Sequence, residues 1–209
     1  HDKLAHYANA AVDIEYEFPF GFKEVEGIHS RTDFDLKQHQ EYSKKKMQYF
    51  DPEINQNYVP YVVETSIGLD RLFLTVLANC LVHEDLSTEE KQDSRVVMKF
   101  HPAIAPVKAA VLPLTKKDGL PEKAREIMAK LKLDYNIQYD EKDAIGKRYR
   151  RQDAIGTPYC ITVDHQTLED NMVTIRHRDS MQQERVAIEE LSNIIGQRVS
   201  LTNLLTQLI

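Results

Sequence analysis

The pattern of hydrophobic and polar residues changes its period once between residues 58 and 82. Val62 and Val63 belong to a short β-branched and aromatic run that suits a buried strand. Farther on, apolar residues recur at the spacing of a helix, namely at Leu69, Leu72, Phe73, Val76, Leu77 and Cys80. The segment therefore predicts a strand, a turn over Ser66–Gly68, and a helix that ends near residues 83–85.

Shorter patterns precede this segment. Residues 1–11 are typical of a helix, whereas Val12–Phe18 and Phe22–His29 alternate as strands do. A helix is expected to follow, with Thr32 or Asp33 as its N-cap. Residues 51–58, Asp-Pro-Glu-Ile-Asn-Gln-Asn-Tyr, contain the residue types that favour a hairpin turn.

The second predicted strand carries two acids. Strict alternation places Glu24 and Glu26 on one face and Val25 on the other. Two acids on one face are typical of a sheet face in water. The alternative is the floor of an active site, where a divalent ion bridges phosphates, although the pattern alone favours the solvated face.

From residue 107 onward, strands and helices alternate. The boundary near residues 100–107 is marked by Pro102 and Pro106, after a strand expected at 95–100. Strands are predicted at 109–114, 135–139, 159–163 and 172–177, and helices at 121–131, 144–152 and 183–194. This order predicts a mixed sheet with helices on its faces.

Composition limits the class of protein. The 209 residues have room for one large domain or two small ones, with a net charge of −6. Residues 1–95 carry −8 and residues 96–209 carry +2, so the second half is the better candidate for contact with RNA. No apolar run reaches membrane-spanning length and no signal peptide opens the chain, so we expect a cytoplasmic protein with no membrane contact.

The cysteines and histidines predict no metal centre. Cys80 and Cys160 lie in apolar periodic segments without a CxxC pattern, and we expect buried free thiols. The eight histidines are scattered and form no paired arrangement. No zinc is expected.

The turn after Val63 carries candidate chemistry. Glu64, Ser66 and Gly68 precede a helix whose first turn holds Asp70 and Arg71. Helix N-terminal amides favour anions, and arginine adds a permanent positive charge, so this arrangement suits a small zwitterion beside a phosphate. A simpler interpretation is that Glu64 caps the helix and Arg71 pairs with Asp70 on its surface.

Three segments resemble one family. Residues 64–71, Glu-Thr-Ser-Ile-Gly-Leu-Asp-Arg, resemble the third signature motif of class II aminoacyl-tRNA synthetases in the form of the glycyl-tRNA synthetases. Residues 21–36 and 146–158 match the same family in the same order. The resemblance implies the end of an antiparallel class II catalytic sheet with helices at 1–100, a linker at 101–107, and a mixed-sheet α/β anticodon-binding domain at 108–209.

The resemblance also implies site residues. Glycine would be bound by the segment Glu64, Thr65, Ser66, Ile67 and Gly68. ATP would be bound by Glu24, Val25, Gly68, Leu69, Asp70 and Arg71, with Glu24 near the Mg²⁺ of the nucleotide. Asp70 stands where some members of the family have glycine, which leaves its role open.

Contact with tRNA would involve a basic segment in the second half, Lys147, Arg148, Tyr149, Arg150 and Arg151. Positive charge around one aromatic ring suits phosphate contact with a stacking surface. The alternative is a helix that packs Tyr149 inward, pairs one arginine with Asp153 and leaves the other charges in water.

The implied activity is the ATP-dependent activation of glycine and its transfer to tRNA(Gly), by an enzyme that is a homodimer. The family's first motif and the Phe-Arg-x-Glu loop of its second motif are not found here. We therefore expect the C-terminal portion of a glycyl-tRNA synthetase, inactive by itself. Two alternatives remain: a non-catalytic accessory protein with a synthetase-like fold, and a free-standing RNA-binding module that would leave residues 12–82 unused.

Overall fold

The computed structural model describes residues 3–206. The chain divides into two compact units, His1–Ala78 and Asn79–Ile209, which are described separately. The linker predicted at 101–107 falls within the second unit, and the domain limits drawn from the sequence stay a proposal.

The first unit is built on a three-stranded antiparallel sheet in the order β1-β2-β5. A two-stranded hairpin and two helices complete it. The elements are β1 (Ala10–Phe18), β2 (Gly21–Ser30), α1 (Phe34–Ser43), β3 (Tyr49–Asp51), β4 (Gln56–Tyr58), β5 (Val63–Ile67) and α2 (Leu69–Cys80). The predicted strands and the hairpin turn are confirmed, as is the order of strand, turn and helix. The turn predicted over Ser66–Gly68 is wrong for Ser66 and Ile67, which belong to β5. The strand is also not buried as predicted, since Val63 is 69% exposed.

The helix predicted at residues 1–11 is wrong for the part that the structure describes. Residues 3–9 form bends and turns, and Ala10 and Ala11 open β1. Ala10 pairs with Ser30, so β1 runs the full length of β2. The ladder of backbone hydrogen bonds prevails over the helix propensity of two alanines.

A β-bulge in β2 changes the faces predicted from alternation. Glu15 pairs with Glu24 and Ile14 pairs with Glu26, which leaves Val25 as the extra residue. Such a bulge re-aims neighbouring side chains. Because consecutive residues of β1 lie on opposite faces, their partners Glu24 and Glu26 also do, and the prediction that these two acids share one face is wrong.

The second unit opens with a hairpin of β6 (Leu81–Asp85) and β7 (Ser94–Met98). α2 ends at Cys80, so the helix end predicted near residues 83–85 is wrong. His83 pairs with Val96, and this ladder gives residues 81–85 a strand partner that the local pattern did not reveal. Residues 86–93 form the charged excursion between the two strands.

A mixed five-stranded sheet in the order β12-β11-β10-β8-β9 forms the rest of the unit and confirms the predicted class. β8, β9 and β10 are parallel, and β11 and β12 are antiparallel to their neighbours. The elements are β8 (Ala109–Pro113), α3 (Leu120–Leu131), β9 (Ile137–Tyr139), α4 (Ile145–Ile155), β10 (Tyr159–Val163), α5 (Thr167–Asp170), β11 (Met172–His177), β12 (Gln183–Ala187), a 3₁₀ turn (Ile188–Glu190), α6 (Leu191–Val199) and α7 (Leu201–Thr206).

The core of this unit lies on both sheet faces. Val111, Ile161 and Ile195 belong to the larger cluster, and Leu112 and Cys160 to the smaller one under α4. Both cysteines are free and buried, as predicted. Among the described helices, none is long and apolar enough to cross a bilayer.

The helix predicted at 183–194 is wrong in its first half. Residues 183–187 form β12, which pairs with β11 as an edge strand, for example through Val186 and Val173. The helix begins only at Leu191. Five residues are too few for their apolar spacing to distinguish a strand from a helix, and pairing with the edge of β11 makes them a strand.

Candidate active-site cleft and RNA-facing residues

A surface cleft of about 730 Å³ lies within the first unit, where the bulge of β2 meets the start of α2. It is lined by residues from three elements: Glu24, Val25, Ser66, Gly68, Leu69, Asp70, Arg71 and Leu74. Seven of these residues were predicted from the sequence, and Leu74 was not. The helical period places Leu74 on the turn that follows Asp70 and Arg71.

The start of α2 shapes one wall of the cleft. The amide of Leu72 donates to the carbonyl of Gly68 at 2.8 Å, so Gly68 is the N-cap of α2, which begins at Leu69. The amides of the first helical turn then have no carbonyl partner within the helix and favour an anion. A Cβ placed on Gly68 would meet only the Cβ of Arg71, at an ordinary 3.6 Å. Packing within the described residues therefore does not require glycine at this position.

Arg71 joins α2 to the bulged strand. Its Nη1 donates to the carbonyl oxygen of Glu24 at 2.5 Å. Among the described residues, Arg71 therefore does not form the surface ion pair with Asp70 that the simpler interpretation predicted. Arg71 and Val25 both line the cleft.

Glu64 does not cap α2, since it lies within β5. It accepts a hydrogen bond from Nη1 of Arg31. The same guanidinium donates from Nε to Asp35 at 2.5 Å and from Nη2 to Asp35 at 3.1 Å. It also stacks over the ring of Tyr7, 4.1 Å from the centroid.

Sequence reasoning missed Arg31, although the signal was present in the Arg-Thr-Asp-Phe-Asp run at residues 31–35. The hydrogen bonds from Arg31 lower the pKa of Asp35 below its usual value, despite partial desolvation. Paired with two carboxylates, Arg31 in turn has its pKa raised. Arg31 is therefore a fixed cation that orients Glu64.

The register of β5 on β2 places Glu64 and Ser66 on one face. Ser66 lies opposite Gly27, and Glu64 lies opposite His29. A Cβ on Gly27 would come within 3.0 Å of Cε1 of His29 and 3.5 Å of a carboxylate oxygen of Glu24. Ser66 lines the cleft, whereas Glu64, on the same face of β5, does not. Thr65 and Ile67, on the opposite face of β5, do not line it either.

Metal-binding capacity in the cleft is small. Within residues 3–206, no three His, Cys, Asp or Glu side chains cluster so as to hold an ion. Glu24 offers a single exposed carboxylate. Magnesium that arrives with nucleotide phosphates commonly needs only one or two carboxylates from the protein. The residues present fit that mode of binding.

In the second unit, two residues of the predicted basic segment are built into the fold. Arg148 has a relative accessible surface of 2% and donates to the carbonyls of Pro113 and Leu114. Tyr149 shares a hydrogen bond of 2.6 Å with Thr162, and burial raises the pKa of its hydroxyl. The guanidinium of Arg176 lies 4.7 Å from the ring of Tyr149.

The neighbouring arginines of α4 are paired at the surface. Arg150 pairs with Asp93 at 2.9 Å. Arg151 pairs with Asp140 at 2.7 Å and with Asp143 at 2.9 Å. These bonds weigh against RNA contact by Arg148, Tyr149, Arg150 and Arg151, whose role in binding stays a prediction.

Asp153 does not pair with an arginine of α4. It is fully buried and binds Nη1 of Arg95 at 2.9 Å and two nitrogens of Arg176 at 2.8 and 3.0 Å. Arg95 belongs to β7, so this cluster fixes the β6–β7 hairpin against α4. Its role is to hold the fold together.

Exposed lysines lie at one edge of the mixed sheet. The carboxyl ends of β8 and β9 lead into Lys116, Lys117 and Lys142, and Lys147 lies in the first turns of α4. In the part of the chain that the structure describes, none of these ammonium groups pairs with an acid. In sheets with parallel strands this edge is where ligands bind. Of these lysines, sequence reasoning found only Lys147.

Comparison with known proteins gives one family model and a set of relatives. Residues 108–198 match the model described as "Anticodon binding domain". The chain is 53% identical to a glycine–tRNA ligase of Chlorobaculum tepidum over 199 residues. It is 54% identical to one of Staphylococcus haemolyticus over 199 residues. Each alignment covers 95% of this chain and 42% of the relative, so the chain spans less than half of the relatives' length.

Proposed function

The chain belongs to the glycyl-tRNA synthetase family and corresponds to its C-terminal portion, and from this premise we propose that it serves in the ATP-dependent ligation of glycine to tRNA(Gly). The observation that carries the proposal is the cleft. It brings Glu24 and Val25 of one strand together with Ser66, Gly68 and Arg71 of another segment. The complete enzyme would contain the chain together with a further catalytic portion.

ATP is placed in the cleft with its phosphates toward the start of α2. The free amides after Gly68 and the guanidinium of Arg71 offer positive potential on one wall. Arg71 keeps one hydrogen bond to the carbonyl of Glu24, which fixes its position, and its remaining N–H groups face the ligand. Magnesium, bound to the phosphates and the Glu24 carboxylate, would neutralise developing charge.

Glycine is placed beside Ser66 and Glu64. Arg31 occupies one carboxylate oxygen of Glu64, and the other oxygen is left to accept from the ammonium group of glycine. Arg31 thereby positions the acceptor. Gly27 opposite Ser66 adds no side chain to this face. Thr65 and Ile67, on the other face of β5, remain part of the proposed glycine-binding segment.

The reaction then follows from positioning and charge stabilisation. A carboxylate oxygen of glycine attacks the α-phosphorus of ATP, and the bond to the leaving pyrophosphate breaks. The terminal ribose hydroxyl of tRNA next attacks the carbonyl carbon of glycyl-adenylate, and AMP leaves. One methyl group is rejected poorly by attraction alone, so exclusion of alanine depends on steric closure.

The second unit binds the anticodon arm of tRNA(Gly). We place the contact at the lysine edge formed by Lys116, Lys117, Lys142 and Lys147, since these cations are exposed and unpaired. Lysines that contact phosphates hold the RNA in register without reading its sequence. The complete enzyme is proposed to be a cytoplasmic homodimer, with the dimer interface outside this chain.

The test is aminoacylation of a tRNA(Gly) transcript with labelled glycine by the full-length protein. The proposal predicts glycine-dependent charging, and no glycine-dependent ATP–pyrophosphate exchange by the 209-residue chain alone. Full-length protein that binds tRNA(Gly) but never forms glycyl-adenylate would support the accessory-protein alternative instead.

A matched pair of variants tests the RNA edge. Lys116→Gln/Lys117→Gln/Lys147→Gln should weaken the binding of tRNA(Gly) at least tenfold. Lys91→Gln/Lys130→Gln/Lys132→Gln changes the net charge equally and should leave it nearly unchanged. Equal losses in both variants would contradict the placement.

A further inference from the structure

We propose that the second unit carries a binding site for an aliphatic polyamine, in a groove between α3 and the start of α6. No residue that lines this groove belongs to the ATP cleft or to the lysine edge. The inference therefore goes beyond the proposed function and does not depend on it. A polyamine consists of ammonium groups joined by methylene chains, and the groove offers carboxylates above an apolar floor.

The groove consists of three adjoining hollows. The central hollow has a volume of about 270 Å³ and shares Lys130, Ile188 and Glu189 with a second hollow of about 390 Å³. It shares Glu189 and Ser192 with the third. Because Glu189 lines all three, the hollows form one continuous groove. Pockets for drug-sized ligands typically span about 300–1,000 Å³, so the central hollow suits a narrower chain.

The floor of the central hollow is apolar. It is formed by Ile127 and Leu131 of α3, Ile188 of the 3₁₀ turn and Leu191 of α6. Ile127, Leu131 and Leu191 belong to the larger core cluster and are only 2%, 3% and 1% exposed. The hollow therefore reaches down to the core. A methylene chain gains free energy by moving from water onto such a surface, as the stem of a lysine side chain does.

The rim of the central hollow is acidic. Asp134 and Glu189 are exposed, and in the described part of the chain neither carboxylate forms an ion pair. Lys130 also lines the hollow, but its ammonium group already pairs with Glu126 at 3.2 Å. α3 ends at Leu131, so the negative end of its dipole lies at the same hollow. The uncompensated negative potential favours a cation.

Contacts from α6 hold Asp134 in position. The hydroxyl of Ser192 donates to the carboxylate of Asp134 at 3.3 Å, and the hydroxyl of Tyr135 donates to the carbonyl of Ser192 at 2.9 Å. Gly196 makes room for this tyrosine, since a Cβ there would lie 2.6 Å from the Tyr135 hydroxyl. Glycine is unfavourable inside a helix, and this contact explains its presence in α6. An acceptor that is oriented in advance loses less entropy when a ligand binds.

The charge along the groove matches a ligand with several ammonium groups. The lining of the three hollows holds four acids and two lysines, a formal charge of −2, namely Glu126, Asp134, Asp170, Glu189, Lys123 and Lys130. An anion would be repelled, and a metal ion would gain nothing from an apolar floor. A lysine side chain of another protein would bring one ammonium group to two unpaired carboxylates. A polyamine satisfies both carboxylates and covers the floor between them.

The test is a calorimetric titration of the full-length protein with spermidine in the absence of RNA. Asp134→Asn/Glu189→Gln should weaken binding about 3- to 30-fold, as expected for the loss of two exposed ion pairs. Both side chains are exposed, so the variant should unfold at the same temperature as the wild type.

The matched control is Glu89→Gln/Glu90→Gln, which removes the same charge from the exposed loop between β6 and β7. This variant should bind spermidine as the wild type does. Equal weakening in the two variants would overturn the inference, because the attraction would then depend on net charge alone. Failure of the wild type to bind spermidine would overturn it as well.

The contribution of the apolar floor is tested with two diamines of equal charge. 1,6-Diaminohexane has three more methylene groups than 1,3-diaminopropane and should bind about fivefold more tightly or better. Equal affinities would show that the floor does not contact the ligand, and the assignment to this groove would fail.

A peptide with one lysine, acetyl-Gly-Lys-Gly-amide, tests the other source of an alkylammonium group. It should bind at least tenfold more weakly than spermidine. Peptide binding as tight as that of spermidine, and lost in Asp134→Asn/Glu189→Gln, would overturn the polyamine assignment in favour of a docking site for a partner protein. These titrations involve neither tRNA nor ATP, so their failure would leave the proposed function to its own test.

Discussion

Arg31 and Glu64, 33 residues apart in the chain, meet across the first unit through a hydrogen bond from Nη1 to the carboxylate. Arg31 also holds Asp35 through two further nitrogens. The proposed ammonium acceptor is thus oriented by a guanidinium that three contacts fix in place, counting the ring of Tyr7. The dependence of glycine binding on this geometry can be measured.

In the full-length enzyme, Arg31→Lys should raise the KM for glycine by about 10- to 100-fold. A lysine ammonium cannot reproduce the planar fork that reaches both carboxylates, and one charge-assisted hydrogen bond amounts to about 1.5–3 kcal/mol. ATP–pyrophosphate exchange at varied glycine concentration measures the change. Arg125→Lys, on the exposed face of α3, is the control and should leave the KM unaltered. An unchanged KM for Arg31→Lys would show that Arg31 only supports the fold.

Gly68→Ala should leave stability unchanged while weakening ATP binding about tenfold or more. The added methyl group meets only ordinary contacts in the protein, so any loss arises from the ligand that approaches the start of α2. Urea unfolding and the KM for ATP separate the two effects. Gly146→Ala is the matched control: it lies in α4 with nothing within 4 Å and should stabilise by up to about 1 kcal/mol without affecting ATP. A destabilised Gly68→Ala enzyme would point to backbone strain instead.

Gly156→Ala should destabilise the second unit by about 2–4 kcal/mol. Gly156 has φ +85°, and a Cβ there would lie 2.4 Å from Cδ2 of Phe100 and 3.0 Å from the carbonyl of Met98. The strain of a left-handed backbone and the overpacking against Phe100 therefore both lower the free energy of unfolding. Gly21→Ala, with φ +98° but open space around it, should lose only about 1–2 kcal/mol. Similar urea midpoints for the two variants would contradict the packing argument.

Stability of the second unit should fall in acid. Hydrogen bonds from Lys99 and, against some desolvation, from Arg95 lower the pKa of Glu84 below its usual 4.5. Arg198 and His177 do the same for Glu184. A carboxyl group whose pKa is lower in the folded state stabilises fully above its unfolded pKa, and the effect disappears as pH falls through the folded pKa.

Urea unfolding monitored from pH 6 to pH 2 should therefore show a loss that begins below about pH 5. The double variant Glu84→Gln/Glu184→Gln should be less stable at pH 6 and should lose less on acidification. Parallel curves for the two proteins would show that these carboxyl groups are not the source.

Local pattern was sufficient for elements that carry their own period. The order of strand, turn and helix within residues 63–80 followed from apolar spacing, although its bounds did not. Four of the five strands of the mixed sheet, β8 to β11, followed in the same way. β6 and β12 did not, because each is defined by a partner strand elsewhere in the chain. The bulge at Val25 likewise depends on the register of β1 on β2.

The residues of the candidate site also divide into those that local sequence predicted and those that depend on strand pairing. Five residues of the third-motif segment that the sequence predicted as site residues line the cleft, namely Ser66, Gly68, Leu69, Asp70 and Arg71. Arg31 was not predicted, because its contact with Glu64 depends on the pairing of β5 with β2. The basic residues of α4 suggested an RNA-binding surface because their local pattern does not reveal their partners in the fold. Arg148 turned inward to bind strand-end carbonyls, and Arg150 and Arg151 met acids from loops that no local pattern could place beside them.

The most direct measurement is glycine-dependent ATP–pyrophosphate exchange by the full-length enzyme carrying Glu64→Gln, with the affinity for tRNA(Gly) measured in parallel. Exchange should fall at least a hundredfold, while the affinity for tRNA(Gly) should stay within twofold of the wild type. Exchange at the wild-type rate would contradict the assignment of Glu64 to glycine, and with it the central claim that this unit forms the glycine-activating site.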